Sequence, residues 1–474
     1  MHVFYKPDDG WAGDFIPFWS EGEYHLFYLK DVRSAEKRRT PWFHVVSRDF
    51  VSFNDFGEAL PRGGPDDFDQ SVATGSVIRA EGTFHAFYTG HNTEFRSQGK
   101  PFAAIMHATS DDLVRWTKDP TNPILLPDLK RYDALNWRDP FVFWNADENA
   151  YWMLFTARLK GGFAETGCIA LAVSRDLQTW TLKDPFWSPN LYYGLECPDL
   201  FRIGDWWYLV FSEFSDLRCT HYRVSRSLRG PWLAPALDTL DGRGYYAAKT
   251  ASDGERRYLF GWSRRRSGDV DSGAWLWGGQ LVVHELRQDE DGLLCARAPK
   301  SVWESVPAVT WGHIEPQLGT WQVEGGSLTG RVESGFGWCR LGSMPSTSRV
   351  DLEIEFAPGT RACGLLLRAE RDLSSAYEVR VEPQRQRVVF DRRPRAGDEI
   401  TPGVFRSFGD GFMVERPVTM AEERVRLQVI ADGTVIVVYI NERVALTTAA
   451  YSTAASGWGV FVTDGRAIFR SPHT

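Results

Sequence analysis

Alternating apolar and polar positions run through most of the chain in short stretches, and one such stretch recurs. "YHLFYL" at 24–29, "FHAFYTG" at 84–90, "YWMLFTA" at 151–157, "WWYLVFSE" at 206–213 and "RRYLFGWS" at 256–263 each read as an aromatic-rich strand, and the starts lie about 50 to 67 residues apart. A second phrase follows four of them in step: "VVSRDFVSF" from Val45, "HATSDDLVRW" from His107, "LAVSRDLQTW" from Leu171 and "YRVSRSLRGPW" from Tyr222. The fifth copy ends instead in "GGQLVVHEL". Each unit therefore predicts an entering strand, a turn such as Glu21-Gly22 or Glu81-Gly82, the aromatic strand, a third strand, and a Ser-x-Asp turn closed by an aromatic residue. Four short strands per unit make a propeller blade, which covers its faces only by stacking on its neighbours. The expectation is a five-bladed β-propeller over residues 1–305.

Beyond a Pro-containing connection at 306–318 the repeat stops. "RVDLEIEF", "CGLLLRAE", "AYEVRVEP", "RQRVVFDR", "RVRLQVIADGTVIVVYI" and "GWGVFVTD" alternate with period two, and Asp432-Gly433 marks a hairpin. Residues 319–474 are expected to form a β-sandwich with no catalytic constellation, and the charged stretch 391–424 within it to be a long exposed loop.

Composition agrees. A length of 474 residues exceeds what one core usually serves, and 14% aromatic content with frequent Gly and Pro favours an all-β chain. A net charge of −8 argues against a nucleic-acid partner and leaves a small or neutral one. The densest basic run, Arg264-Arg265-Arg266, is expected to be a solvated loop. Six cysteines form neither a CxxC nor a Cys/His metal spacing and are expected to be reduced. No stretch has the length of a membrane span, and "MHVFYKPDDGWAGD" does not read as a signal peptide, so the expected location is cytoplasmic unless a leader has been removed.

Aligning the units on the aromatic strand puts three acids at or just before the entry of a first strand: Asp14 in "GDFIPFW", Asp139 in "RDPFVFW" and Glu196 in "ECPDLF". First strands line the axis of a propeller, so the three converge on one mouth. Crowded carboxylates raise at least one pKa, and a protonated acid beside an ionised one is what glycoside cleavage requires. Taken singly, each acid is more simply a turn cap or the partner of a neighbour such as Arg138. Three at matched positions are not.

The phrases "WAGDFIPFWSEGEYHLFYL", "TGSV", "WRDPFVFW", "ECPDLFRIGD", "YYAAKTASDGERRYLFGW" and "WGGQLVVHEL" occur in the order seen in glycoside hydrolase family 32, the invertases, inulinases and levanases, which the chain resembles across the whole propeller. The resemblance implies a retaining β-fructosidase with Asp14 as nucleophile, Glu196 as acid/base and Asp139 as transition-state stabiliser. It also implies Trp42 as an aromatic wall of the sugar site, Thr74 and Arg138 as hydroxyl-binding residues and Trp262 as a further contact, with no metal or organic cofactor. Blade packing is the competing role for both tryptophans, and a satisfied core role is expected for His25 and His44. Two departures stand out: the family's Asn-Asp-Pro-Asn-Gly is here Gly13-Asp14-Phe15-Ile16-Pro17, and its Gln after the first aromatic strand is Leu29. Both remove hydrogen-bonding groups and change which hydroxyls the pocket reads. Transfer of the sugar to an acceptor, including chemistry on cyclic difructose-type substrates, and a non-catalytic carbohydrate-binding protein are the rival readings.

Overall fold

The computed structural model describes residues 2–31, 40–161, 163–393, 412–454 and 456–472. Five antiparallel units follow one another in chain order, as the repeat predicts. Their first strands are Trp11–Ser20, Ser71–Ala80, Tyr132–Asn145, Glu196–Ile203 and Tyr245–Ser252. The recurrent aromatic runs form the second strands, Glu23–Asp31, Thr83–His91, Ala150–Leu159, Trp206–Ser212 and Arg257–Arg266. Blade four is the shortest: its three strands are supplemented by an isolated bridge from Val224 to Leu233. The ring closes where Ala12 of the first blade pairs with Gly279 of the fifth.

Local chemistry explains the repeat. Glu21-Gly22 and Glu81-Gly82 take φ of 51°/83° and 51°/90°, positive at both central positions, as a tight twisted hairpin requires. The Ser-x-Asp phrase is a capped turn built the same way three times. The hydroxyls of Ser47, Ser110 and Ser174 accept the N–H of Phe50, Leu113 and Leu177 at 2.8–2.9 Å. In the same turns the carboxylates of Asp49, Asp112 and Asp176 each take two further backbone N–H groups. His25 and His44 are bonded to each other at 3.1 Å, and burial followed by the His25 charge draws His44 down to about 3; His44 is a core residue as expected, but its Nδ1 has no partner, and His25 is only half-buried. All six cysteines are buried and free.

The C-terminal β-sandwich is built around the long strands Ser327–Ser343 and Gly457–Arg470, which pair with each other. Within the expected connection at 306–318, Glu315–Leu318 is a strand paired with Ser327–Ser343, and Ala308 bridges Arg349. The exposed loop expected over 391–424 is corrected in its described part. Val414–Pro417 is a strand paired with Arg387–Arg392, and Phe412, Val414 and Arg416 are buried. Residues 394–411 lie outside the described residues. Propeller and sandwich share a core, in which Ile430, Val437 and Tyr439 pack with Tyr245 and Val283. No helix among the described residues is long and apolar enough to cross a membrane.

Candidate active site

The ladder between first and second strands slips by one residue at the same place in every blade. The slips fall after Gly13, Ala73, Arg138, Glu196 and Tyr246. A bulge of this kind bends the strand and re-aims its side chains. In four blades the next residue is non-glycine with positive φ: Asp14 at 50°, Asp139 at 59°, Cys197 at 51° and Ala247 at 51°. Such strain persists only where the surroundings enforce it, and it concentrates at functional sites. Asp14 and Asp139 thus sit on bulges inside their strands. The ladder also corrects the sequence alignment of the third acid, because Glu196 stands level with Arg138 and Tyr246, one step earlier, and Cys197 holds the bulge position.

The three acids nonetheless meet. Asp14 accepts the indole N–H of Trp262 at 3.2 Å, and its pKa is pushed up to about 7 by burial first and then by the charges of Asp139 and Glu196. The Trp262 bond and the Lys249 ammonium oppose that rise. Asp139 is 3% exposed, and its Oδ2 accepts the Cys197 N–H at 3.1 Å and the Thr156 hydroxyl at 3.2 Å. Its own N–H donates to the Thr89 hydroxyl at 2.8 Å. Glu196 is held at both oxygens: Arg138 donates to Oε1 at 2.9 Å and the Tyr246 hydroxyl to Oε2 at 2.5 Å. Arg138 also stands 3.7 Å from Asp139. Burial works against its charge, but Glu196 and Asp139 more than compensate and raise its pKa.

The other expected contacts divide. Arg138 lies in the site as a clamp between two carboxylates. Trp262 is 1% exposed and serves Asp14 through its N–H, so it orients the acid and offers no open face to a sugar. Trp42 is corrected more sharply: its ring is fully buried against Phe27 and Tyr88, and its N–H donates to the Ala73 carbonyl at 2.8 Å. It supports the second blade's bulge from behind. Thr74 occupies that bulge at 1% exposure, with a hydroxyl that has no partner. Trp277 is half-buried and lies so close over Gly13 that a Cβ there would stand 2.7 Å from its ring.

Sequence reasoning missed Trp277, Tyr246, Thr89 and Thr156. A signal existed for the two threonines. The residues paired across from the pre-bulge positions are Leu29, Thr89, Thr156, Ser212 and Trp262, one column near the end of the recurring aromatic run, polar in three blades. Among the described residues no group of three or more His, Cys, Asp or Glu side chains is arranged to hold a metal ion.

Residues 4–293 match the domain described as "Glycosyl hydrolases family 32 N-terminal domain" and residues 324–472 the "Glycosyl hydrolases family 32 C terminal" domain. The chain belongs to glycoside hydrolase family 32. Within the family it is 29% identical over 317 residues to a raffinose invertase of Escherichia coli, covering 62% of this chain and 64% of that one. It is 28% identical over 335 residues to a fructan 1-exohydrolase of Bromus pictus, covering 64% and 54%. These alignments span less than two thirds of either relative. Among solved structures, the exo-inulinase of Aspergillus awamori superposes with a TM-score of 0.72 at 19% identity over 99% of this chain and 98% of the other. The β-fructofuranosidase of Bombyx mori gives 0.70 at 18% over 99% and 93%. Both share the family 32 fold of propeller and sandwich.

Proposed function

We propose that this chain is a retaining glycoside hydrolase acting on a β-linked furanoside, with a fructofuranoside as first choice. The observation that carries the reading is the meeting of Asp14, Asp139 and Glu196 on the bulged first strands, with Asp14 bonded to Trp262 and Glu196 to Arg138 and Tyr246. The names of the family relatives, an invertase and a fructan exohydrolase, support the sugar.

In this reading Glu196 gives its proton to the glycosidic oxygen as that bond breaks, and ionised Asp14 attacks the anomeric carbon to form a glycosyl ester. Water then attacks the same carbon, Glu196 takes back a proton, and the Asp14 carboxylate leaves. Asp139, fixed by the Cys197 N–H and the Thr156 hydroxyl, faces the positive charge that develops on the ring.

The departures from the family motif have a structural counterpart. Phe15 and Ile16 are 0% and 1% exposed and Leu29 is 6%, so the polar family positions are occupied here by blade core. A sugar hydroxyl left without a partner costs about 1–3 kcal/mol, roughly tenfold to more than a hundredfold in discrimination. Sucrose is therefore expected to be a weak substrate beside the preferred furanoside. Incubation with a panel of fructofuranosides and arabinofuranosides, followed by NMR, tests both statements. Retained anomeric configuration in the first-formed product and a preferred furanoside other than sucrose are expected. Turnover of none of them would overturn the hydrolase reading, and sucrose matching the best of them would show the departures to be silent.

A further inference from the structure

Three residues beyond each pre-bulge position the ladder has recovered its register, and the residues there make a second tier along the axis: Ile16, Ser76, Phe141, Asp199 and Lys249. This tier lies one level inward from the bulges that carry Asp14 and Asp139. Lys249 is 2% exposed, and its ammonium donates to the carbonyl of Gly75, one residue past Thr74, which holds the bulge of blade two. Blade one sits between blades five and two, because the ring closes through Ala12 and Gly279. A side chain that reaches from blade five to the bulge of blade two therefore crosses the axis face of blade one, where the Asp14 bulge stands. The bond-breaking steps above leave this ammonium without a task.

Charge along the axis assigns it one. On these two tiers the first strands place four carboxylates, Asp14, Asp139, Glu196 and Asp199, against two cations, Arg138 and Lys249. Blade two adds no titratable side chain between Val72 and Ile78, and His91 on its second strand stands with Arg138 and Asp139. Arg138 is committed to Glu196 at 2.9 Å and to Asp139 at 3.7 Å, and the Tyr246 hydroxyl to Glu196. Asp199 accepts the Thr250 N–H, and Arg257, which donates to the Thr250 hydroxyl at 2.7 Å, faces it from the second strand of the same blade. Burial raises the Asp199 carboxyl, and Arg257 opposes that rise more than Lys249 does. Asp14 has no cation within ion-pair distance among the described residues, only the bond from Trp262. Lys249 is thus the one cation of these tiers not already bonded to a carboxylate, and the charge of Asp14 is the one left without a cation. Its field reaches both Asp14 and the neighbouring Cys197, whose thiol is raised by burial first and then by Asp139 and Asp14. A buried ammonium bonded to a neutral carbonyl is costly by itself, and a nearby carboxylate offsets that cost.

We propose that Lys249 is a positioning residue for the nucleophile: its ammonium, anchored on the Gly75 carbonyl at the axis, is the counter-charge that keeps the Asp14 carboxylate ionised among its like-charged neighbours. The assignment rests on the hydrolase reading above, in which Asp14 attacks as the anion. Lysine suits the place because its ammonium is a compact charge with three donors, so one N–H can hold the carbonyl while the charge serves the carboxylate. The competing role is a neutral brace that ties blade five to blade two through the same bond.

Two substitutions separate charge from brace. Lys249→Gln keeps an amide donor for the carbonyl and removes the charge, whereas Lys249→Met removes both. The full chain would be assayed for kcat/KM from about pH 5 to about pH 9 on an activated fructofuranoside, whose leaving group needs no proton. In both variants the acid limb, expected at about 7 in the wild type, should move up by roughly 0.5–1 pH unit. A brace would leave the limb of Lys249→Gln where the wild type has it and would lower Lys249→Met evenly at every pH. A second measurement needs no turnover. The loss of melting temperature in Lys249→Gln should be larger at about pH 8 than at about pH 4, where Asp14 is protonated, and the excess, roughly 1 °C, should shrink when Asp14→Asn is added. An unmoved limb in Lys249→Gln would overturn the assignment, and so would an excess that Asp14→Asn leaves intact, which would give the ammonium to Asp139 or Asp199 instead. Turnover of no furanoside by the wild type would overturn the hydrolase reading, and the melting comparison would then still decide whether Lys249 and Asp14 are partners.

Discussion

At the scale of single residues, the site is organised by what each carboxylate is bonded to. Asp14 has one indole bond and a distant ammonium against burial and two like charges, so it titrates near neutrality. If Asp14 must be ionised to attack, kcat/KM should fall as pH drops through about 7, and Trp262→Phe, which removes a bond to the charged form, should move that acid limb up by roughly 0.5–1 pH unit. A limb unmoved in Trp262→Phe would show that another group governs it. The same shift makes a stability statement. Because the folded value of Asp14 is raised above its ordinary 3.8, its contribution to stability is present in full below that value and is lost as pH rises through about 7. Thermal unfolding should therefore find Asp14→Asn more stable than the wild type at pH 8, by roughly 2 °C or more, and the two alike near pH 3.5. Activity separates the roles of the acids. Glu196→Gln should lose roughly 10²–10⁴ in kcat on natural glycosides and far less on a nitrophenyl furanoside, whose leaving group needs no proton, whereas Asp14→Asn should be dead on both. Equal losses on the two substrates in Glu196→Gln would end its assignment as the acid.

At the scale of elements, the bulge is the working unit. An unbroken first strand would point residues alternately to its two faces, and Asp14 would share its orientation with Ile16. The extra residue lets the carboxylate turn toward the mouth while Ile16 returns to the blade core. Gly13 is part of this device, because the Trp277 ring fills the place of its missing side chain. Gly13→Ala should displace either the ring or the bulge and lower kcat/KM by about tenfold or more, the loss expected when a reacting group moves by a fraction of an ångström to one ångström. Assay with an activated furanoside, where protonation is not needed, reads this displacement directly; unchanged kcat/KM would show that the ring yields freely.

At the scale of the whole molecule, the sandwich is bonded to the part of the propeller that carries Glu196 and Tyr246. The Arg416 guanidinium, 3% exposed, donates to the Thr239 hydroxyl at 2.7 Å, to the Asp241 carbonyl at 2.8 Å and to the Thr239 carbonyl. Asp241 in turn accepts from Thr447 of the sandwich and pairs with His284 at 2.9 Å, and His284 meets Tyr439 at 2.9 Å. Arg416→Ala leaves buried acceptors without donors at this junction and should cost roughly 2–3 kcal/mol, seen as a lower urea midpoint. A midpoint unchanged in that variant would mean that water replaces the guanidinium without loss.

What the sequence by itself determined is what depends on near neighbours in the chain. Alternation, hairpin signals and the Ser-x-Asp turn are local, so five blades and a second β-module were legible, and the repeat placed Asp14, Asp139 and Glu196 on corresponding strands. The matched motifs carried the family. Tertiary structure decided the rest, because the deciding contacts join residues far apart in the chain. The register of the blade-four ladder put Glu196 level with Arg138 and Tyr246, just before the bulge, and aligned Cys197 with the other two acids, and no periodicity records that register. Burial turned Trp42 from an expected sugar contact into a support, since an aromatic residue reads the same in sequence whether it faces a neighbouring blade or a ligand. Arg264-Arg265-Arg266 looked like solvated charge because charge runs usually are, and only the fold showed the run ending the second strand of blade five, with Arg266 buried and Arg264 over the ring of Tyr246.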